Sequence, residues 1–422
     1  MPYPVWQKML ALLCVALVSA VQAGAAGAEG TAAGAADAAA VQLHGFGTLG
    51  ISCFSSRDAD FVYDTVPNGP GRNGRIGRCD AGLDSMLGAQ LDAHPLDAVT
   101  ASLQVVSQRS PYSTFRPYAR LVNVRWQVTD AWWLRLGRVS NPLFLESDYR
   151  LVRQAMVGVR PPVEVYGLAP TYIMDGLDSS YRFALAEWRV ELYGGLHMND
   201  IRARGDNTSM VSTYAVRNMK TLALSAERPP WTFKLGYNVD RVSYNNPRTD
   251  LLFGVLRALQ AASLADDLQI IDTPVHILSA GLRYDDNVWQ VQAEMVERDF
   301  KRSYFRGARA AYLTAGRRFG VWMPYLTLAR RHTSGPAGDS RTPPLLGSYV
   351  QELLAATRYD QSSLTLGVSR EIGKSMVGKL QAQWLRPDQG SWGASLANFV
   401  PGYDPRQPVR GVLVSASLDF LF

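Results

Sequence analysis

Cysteine is scarce in this chain: there are three in 422 residues, beside five histidines. No C-x-x-C, H-E-x-x-H or G-x-S-x-G spacing occurs. A zinc site, a zincin or a nucleophile-elbow hydrolase therefore has no motif behind it, and no catalytic residue, metal or cofactor is expected. Concentrated charge of one sign is also missing. The formal net charge is +6, but the charges are interspersed, and no basic block or basic–aromatic stripe argues for nucleic acid. Long apolar runs are absent beyond the N-terminus, which excludes membrane-spanning helices in the mature chain.

The one apolar run, Met9–Val18, follows a short segment with a single positive charge at Lys8. Small residues come next, and Val21-Gln22-Ala23 offers a cleavage site. Residues 1–23 thus read as a secretory signal peptide; Cys14 lies within the apolar run without a lipobox. Residues 24–40 are almost all Ala and Gly and read as a flexible leader, too short for a plug domain. Export leads into an oxidising compartment, so Cys53 and Cys79 are expected to pair; two free thiols are the alternative.

What is present instead is a rhythm of two. From residue 41 to 422, segments of about ten residues alternate apolar and polar side chains, as the wall of a membrane barrel requires. Sixteen such segments run from 41–54, 81–94 and 96–108 through 187–198 and 217–228 to 376–386 and 410–422. Short polar turns and long polar stretches alternate between them. The fold class expected is all-β: a closed transmembrane antiparallel barrel with eight long external loops and short periplasmic turns. An even strand count with both termini on one side is what a closed bacterial barrel requires, and closure removes the sheet edges that lipid would not tolerate.

Trp132, Trp188, Trp231, Trp289 and Trp322 each follow a tight turn on the apolar parity of their segments. They read as a periplasmic aromatic girdle, because an indole has an apolar body and a hydrogen-bonding edge. One parity carries Leu83, Leu87, Leu91, Leu134, Leu136, Phe233 and Leu235; the other carries Asp84, Asp92, Arg125, Arg135, Arg189, Glu191, Lys234, Glu294 and Lys379. A charge facing lipid near the midplane costs about 2–4 kcal/mol, so the second set belongs on a wet interior. The final segment alternates cleanly and ends on Phe422, which resembles the signature read by the barrel-assembly machinery.

Segment count, loop pattern and terminal Phe together resemble the general porins of Gram-negative bacteria. The stretches LDSMLGAQLDAHPLDAVTASLQVVSQ (Leu83–Gln108) and RPPVEVYG (Arg160–Gly167) are similar to a poorly characterised proteobacterial branch. The resemblance covers nearly the whole mature chain. It implies a homotrimer in the outer membrane, in contact with lipid and lipopolysaccharide, that passes small hydrophilic solutes by diffusion. It also implies that the third external loop, residues 140–171, folds inward. Glu146, Asp148, Arg150, Arg153, Arg160 and Glu164 would then face wall residues Arg125, Arg135, Arg182 and Arg189 across a constriction. Seven arginines against three acids favour anions mildly. Two alternatives are a channel specific for phosphate, a sugar or an organic acid, and an outer-membrane barrel enzyme. Leu251–Leu264 and Leu345–Tyr359 have helical character within their loops.

Overall fold

The computed structural model describes residues 40–62, 79–109, 114–169, 171–204, 211–300, 302–336 and 338–422. The expected signal peptide and nearly all of the leader lie outside these residues.

Sixteen long strands make the wall: β1 Ala40–Phe54, β2 Met86–Leu96, β3 Val99–Gln108, β4 Tyr118–Gln127, β5 Trp132–Ser140, β6 Ile173–Leu185, β7 Trp188–Arg204, β8 Val211–Arg228, β9 Trp231–Asn245, β10 Thr273–Asp285, β11 Trp289–Phe300, β12 Ala308–Arg317, β13 Trp322–Thr333, β14 Gln361–Ile372, β15 Met376–Pro387 and β16 Gly411–Leu421. Each pairs antiparallel with its neighbours in sequence. The sheet closes where β16 runs along β1, from Phe46↔Leu421 to Phe54↔Leu413. At the seam Phe422 exchanges two backbone hydrogen bonds with Gly45 (3.0 and 2.7 Å). Closure of this kind pairs every strand edge, the condition for a sheet in hydrocarbon.

Alternation decides which face is which. Leu43, Leu49, Leu87, Leu192, Leu196, Leu222, Leu235, Leu278, Met295, Leu328, Leu380 and Val414 stand exposed on the outside, whereas Thr48, Asp178, Asn238, Ser279, Gln292, Lys379, Gln381 and Asp419 are buried inside. The polar residues are inside and the apolar ones outside, the reverse of a soluble protein. Among the described residues no helix is long and apolar enough to cross a membrane.

Trp132, Trp188, Trp231, Trp289 and Trp322 are each the first residue of a strand. Trp231 stacks on Phe233 and meets Tyr284 edge-on at 4.7 Å. In a variant whose sole tryptophan is Trp231, lipid brominated near the headgroup is expected to quench fluorescence more than lipid brominated at the chain terminus. Stronger quenching from the bilayer centre would place this rim elsewhere.

The structure corrects the sequence reading in two places. Residues 81–85 do not begin β2; they form a turn, and Leu83 is buried against Phe54, Phe61 and Val163 instead of facing lipid. Strands β7 and β8 also run past their expected ends, reaching Arg204 and starting at Val211. There β8 carries a bulge around Asn218, whose φ of 49° breaks the period and hides the continuation.

Outside the wall, helices Pro247–Ala258 and Ala262–Leu268 pair in one external loop, and Gly347–Ala355 forms another loop helix. Asn246 caps the first, accepting from Arg248 N, with Pro247 at the first helical position. Phe253, Leu256, Leu264, Val350 and Leu354 bury a common apolar core over the external half of β8–β13.

Candidate functional site

The segment between β5 and β6 crosses the interior and docks on the far wall. Its root is closed by Asn141 N donating to Tyr172 O at 3.1 Å. Ser279 Oγ of β10 donates to Leu143 O at 2.5 Å, and Leu145 N donates to Glu294 Oε1 of β11 at 2.9 Å. Further along, Val159 N donates to Gln381 Oε1 of β15 at 3.0 Å, and Arg298 of β11 donates to Leu168 O at 3.2 Å. Glycine makes room for this path. A Cβ at Gly281 would lie 2.5 Å from Leu145 Cγ.

The tightest part of the dock is a buried charge cluster. Asp84 accepts from Arg160 Nε (3.0 Å) and Nη2 (2.6 Å), from Arg153 Nη1 (3.2 Å) and from Ser52 Oγ (2.6 Å). Arg160 Nη2 also donates to Ser415 Oγ at 2.8 Å. Beside it, Lys379 Nζ binds Asp419 at 3.0 Å and donates to Arg153 O and Gly158 O at 2.5 and 3.1 Å. Burial alone would raise the Asp84 carboxyl, but the Arg160 and Arg153 guanidiniums hold it down at about 2. The platform for Asp84 is the turn at residues 81–85. Gly50 lets that turn lie on β1, since a Cβ there would sit 2.5 Å from Asp84 Cβ.

The same turn is anchored by a disulfide, Cys53–Cys79, with Cα atoms 4.0 Å apart and opposite one another in register. The bridge closes a loop of 26 residues. Replacing both cysteines by serine is expected to lower stability by about 3 kcal/mol on the loop-closure estimate. Denaturant unfolding with and without reductant checks this; identical midpoints would count against it.

The ten charged residues expected at a constriction are dispersed by the fold. Arg153 and Arg160 are buried in the dock rather than aligned along an open gap. Glu164 is likewise buried and accepts from Gln361 Nε2 at 2.7 Å. Glu146 lies under the loop, and burial pushes its carboxyl up against the opposing pull of Arg283. Asp148 is two-thirds exposed and pairs with Lys234 of β9 at 3.3 Å. Arg150 stacks on Tyr172, its guanidinium carbon 3.4 Å from the ring centroid.

On the wall the loop leaves bare, Arg125 of β4 stands directly opposite Arg135 of β5. Arg135 forms a two-pronged pair with Asp178 at 3.0 and 2.8 Å, which Tyr193 also grips at 2.6 Å. Arg182 binds Glu191 at 3.1 Å, and Arg189 approaches Glu227 at 3.5 Å in an exposed setting. Ser52, Ser415, Asp419 and Gln361 escaped the sequence reading. Their one signal was inward parity, which marks a lumen side chain without naming its partner.

Between loop and wall a recess remains, lined by Glu146, Arg160, Gln292, Thr314, Thr365 and Gln383 among others. Recess, dock and bare wall are thus three sectors of one interior.

No family model matches this sequence, and no curated protein matches it. Solved structures do match in shape. The anion-selective porin from Comamonas acidovorans superposes with a TM-score of 0.54 at 13% identity, covering 91% of this chain and 100% of that one. Salmonella typhi OmpF, solved with daunomycin, gives 0.57 at 9% identity over 90% of this chain and 97% of its own. The outer membrane channel DcaP of Acinetobacter baumannii gives 0.51 at 10% identity over 93% and 100%. The fold is that of a Gram-negative outer-membrane porin. At these identities the likeness speaks for architecture, and the porin-type barrel carries its own set of interior residues.

Proposed function

We propose that this porin-type barrel is a passive channel of the outer membrane, filled with water and open to small hydrophilic solutes and ions, with a mild preference for anions. The observation that carries the reading is the bare wall sector. Arg125 faces Arg135 on the neighbouring strand, and Arg182 lies on the next, so three guanidiniums line this sector, with Asp178 paired to Arg135 and Glu191 to Arg182. An enclosed bore amplifies this excess of guanidiniums over carboxylates, lowering the barrier for anions.

Planar-bilayer recording of the refolded protein tests both parts. Discrete conductance steps are expected, with a reversal potential under a KCl gradient of the sign set by chloride. A potassium-set sign would overturn the anion preference, and absence of steps would overturn the channel. A solute-specific channel is the second reading. The uncharged amides and hydroxyls of Gln292, Thr314, Thr365 and Gln383 around the recess favour it. Conductance that saturates or is blocked by one neutral polyhydroxylated solute would select that reading.

A further inference from the structure

On the outer face, the rim of short turns carries two arginines that rest on aromatic rings. Five strands begin on a girdle tryptophan, and three of these rings have neighbours already satisfied. Trp132 lies opposite Tyr181, and its indole donates to Ser179 Oγ at 2.8 Å. Trp188 lies opposite Leu185, and Trp231 opposite Arg228, which is paired with Glu187. Trp289 and Trp322 differ. Trp289 stands opposite Arg317 of β12, and Trp322 opposite Arg370 of β14. Both arginines are exposed on the outward parity, four residues from the exposed Leu313 and Leu366 of their strands. Among the described residues neither forms an ion pair with a carboxylate.

The guanidinium carbon of Arg317 lies 5.2 Å from the Trp289 centroid and 4.9 Å from that of Phe319; that of Arg370 lies 4.9 Å from Trp322. Phe319 is bridged to Trp322 across the turn. Trp289, Arg317, Phe319, Trp322 and Arg370 therefore make one row over β11–β14, two cations set among three rings. The carboxylates nearest in sequence are engaged elsewhere. Asp286 accepts from Val288 N, Trp289 N and Tyr284 Oη. Asp285 holds Arg318 in a two-pronged pair at 2.6 and 2.9 Å. Glu371 has inward parity, opposite the buried Val377, and acts on Arg318.

A guanidinium resting on a ring still has its N–H edge to donate, and that edge matches two oxygens of one phosphate. Girdle tryptophans mark the height at which hydrocarbon gives way to headgroups, where the phosphodiesters of the leaflet lie. We infer that this row is a binding site for an anionic glycerophospholipid of the inner leaflet. Arg317 and Arg370 donate to phosphodiester oxygens, and the acyl chains run along the apolar wall past Leu313 and Leu366. The site depends on the hydrocarbon-facing wall and not on conduction, so it and the channel reading fail separately.

The test uses the full-length protein refolded in detergent and mixed with phosphatidylglycerol or with phosphatidylcholine of the same acyl chains. Native mass spectrometry is expected to show phosphatidylglycerol retained in preference to phosphatidylcholine. Arg317→Gln and Arg370→Gln should each weaken phosphatidylglycerol binding about fivefold and narrow the gap between the two lipids. Arg228→Gln, on the same rim but paired with Glu187, should change neither. Equal retention of the two lipids, unaltered binding in Arg317→Gln and Arg370→Gln, or an equal loss in Arg228→Gln overturns the site. Heat-dependent gel mobility shows whether each variant has folded. Should one not fold, the unsubstituted protein decides. Phosphatidylglycerol with a photoreactive headgroup is expected to label peptides containing residues 317–322 or 370, and labelling confined to other strands overturns the site.

Discussion

Asp84→Ala is expected to release the interior loop. The change strands two guanidiniums, Arg153 and Arg160, in a place where they are almost fully buried. The remaining nearby carboxylate, Asp419, is already engaged by Lys379 and by Thr48 Oγ1 at 2.8 Å. Removing one partner of a buried pair typically costs about 3–5 kcal/mol, because the other charge stays behind without compensation. Moving the loop out to water is the cheaper response. Single-channel conductance should therefore rise and grow noisy, and the heat needed to unfold the barrel in detergent should fall. Arg160→Gln combined with Asp84→Asn keeps a hydrogen bond without the charges and should restore quiet steps in part. Unchanged conductance and unchanged heat stability in Asp84→Ala would show that the cluster does not hold the loop.

The same cluster sets a pH dependence with two opposed limbs. The Asp84 carboxyl falls from an ordinary value of 3.8 to about 2. Its contribution is complete above the ordinary value and is lost as pH drops towards 2, an effect of roughly 2 kcal/mol. Glu146 runs the other way. Burial raises its carboxyl, so docking pays a charge penalty while Glu146 is ionised, and protonation relieves that penalty as pH falls. Docking should be tightest between these limbs. Conductance is expected to dip as acidification protonates Glu146 and to climb again as pH approaches 2.

The wall was legible in the sequence because a period of two is a local property. Leu235 and Lys234 reveal opposite faces without any knowledge of the neighbouring strand. The turn at residues 81–85 was misread for the same reason. Leu83 continues the alternation of Leu87 and Leu91, and nothing nearby says that it packs on Phe61 and Val163 instead. The dock was out of reach altogether. Arg160 meets Asp84 across 76 residues and Glu164 meets Gln361 across 197, so the sequence offered the charges without their partners. Counting arginines against acids consequently overstated how many face open water. The two buried in the dock act as a clasp, and the bare sector of β4–β6 holds the charges left to a passing ion.

Leu235→Arg should prevent assembly, whereas Thr232→Arg on the same strand should not. Leu235 is half exposed on the outer face of β9, a few residues above the tryptophan rim, and its neighbours in register, Leu224 and Ala280, share that face. A guanidinium there meets hydrocarbon near the midplane, at a cost of about 2–4 kcal/mol. Leu235 also gives up its own burial in lipid, about 2 kcal/mol more for a side chain of that size. Both penalties act on the inserted state alone. Thr232 lies on the inner parity, opposite Glu227 and Arg283 in register, where water and a carboxylate can receive a new charge. Folding into lipid vesicles, followed by the heat-dependent shift in gel mobility, separates the two outcomes. If Leu235→Arg folded as readily as Thr232→Arg, oily and ionised side chains would not be sorted between lipid and lumen, and the barrel would have no hydrocarbon-facing wall on this strand.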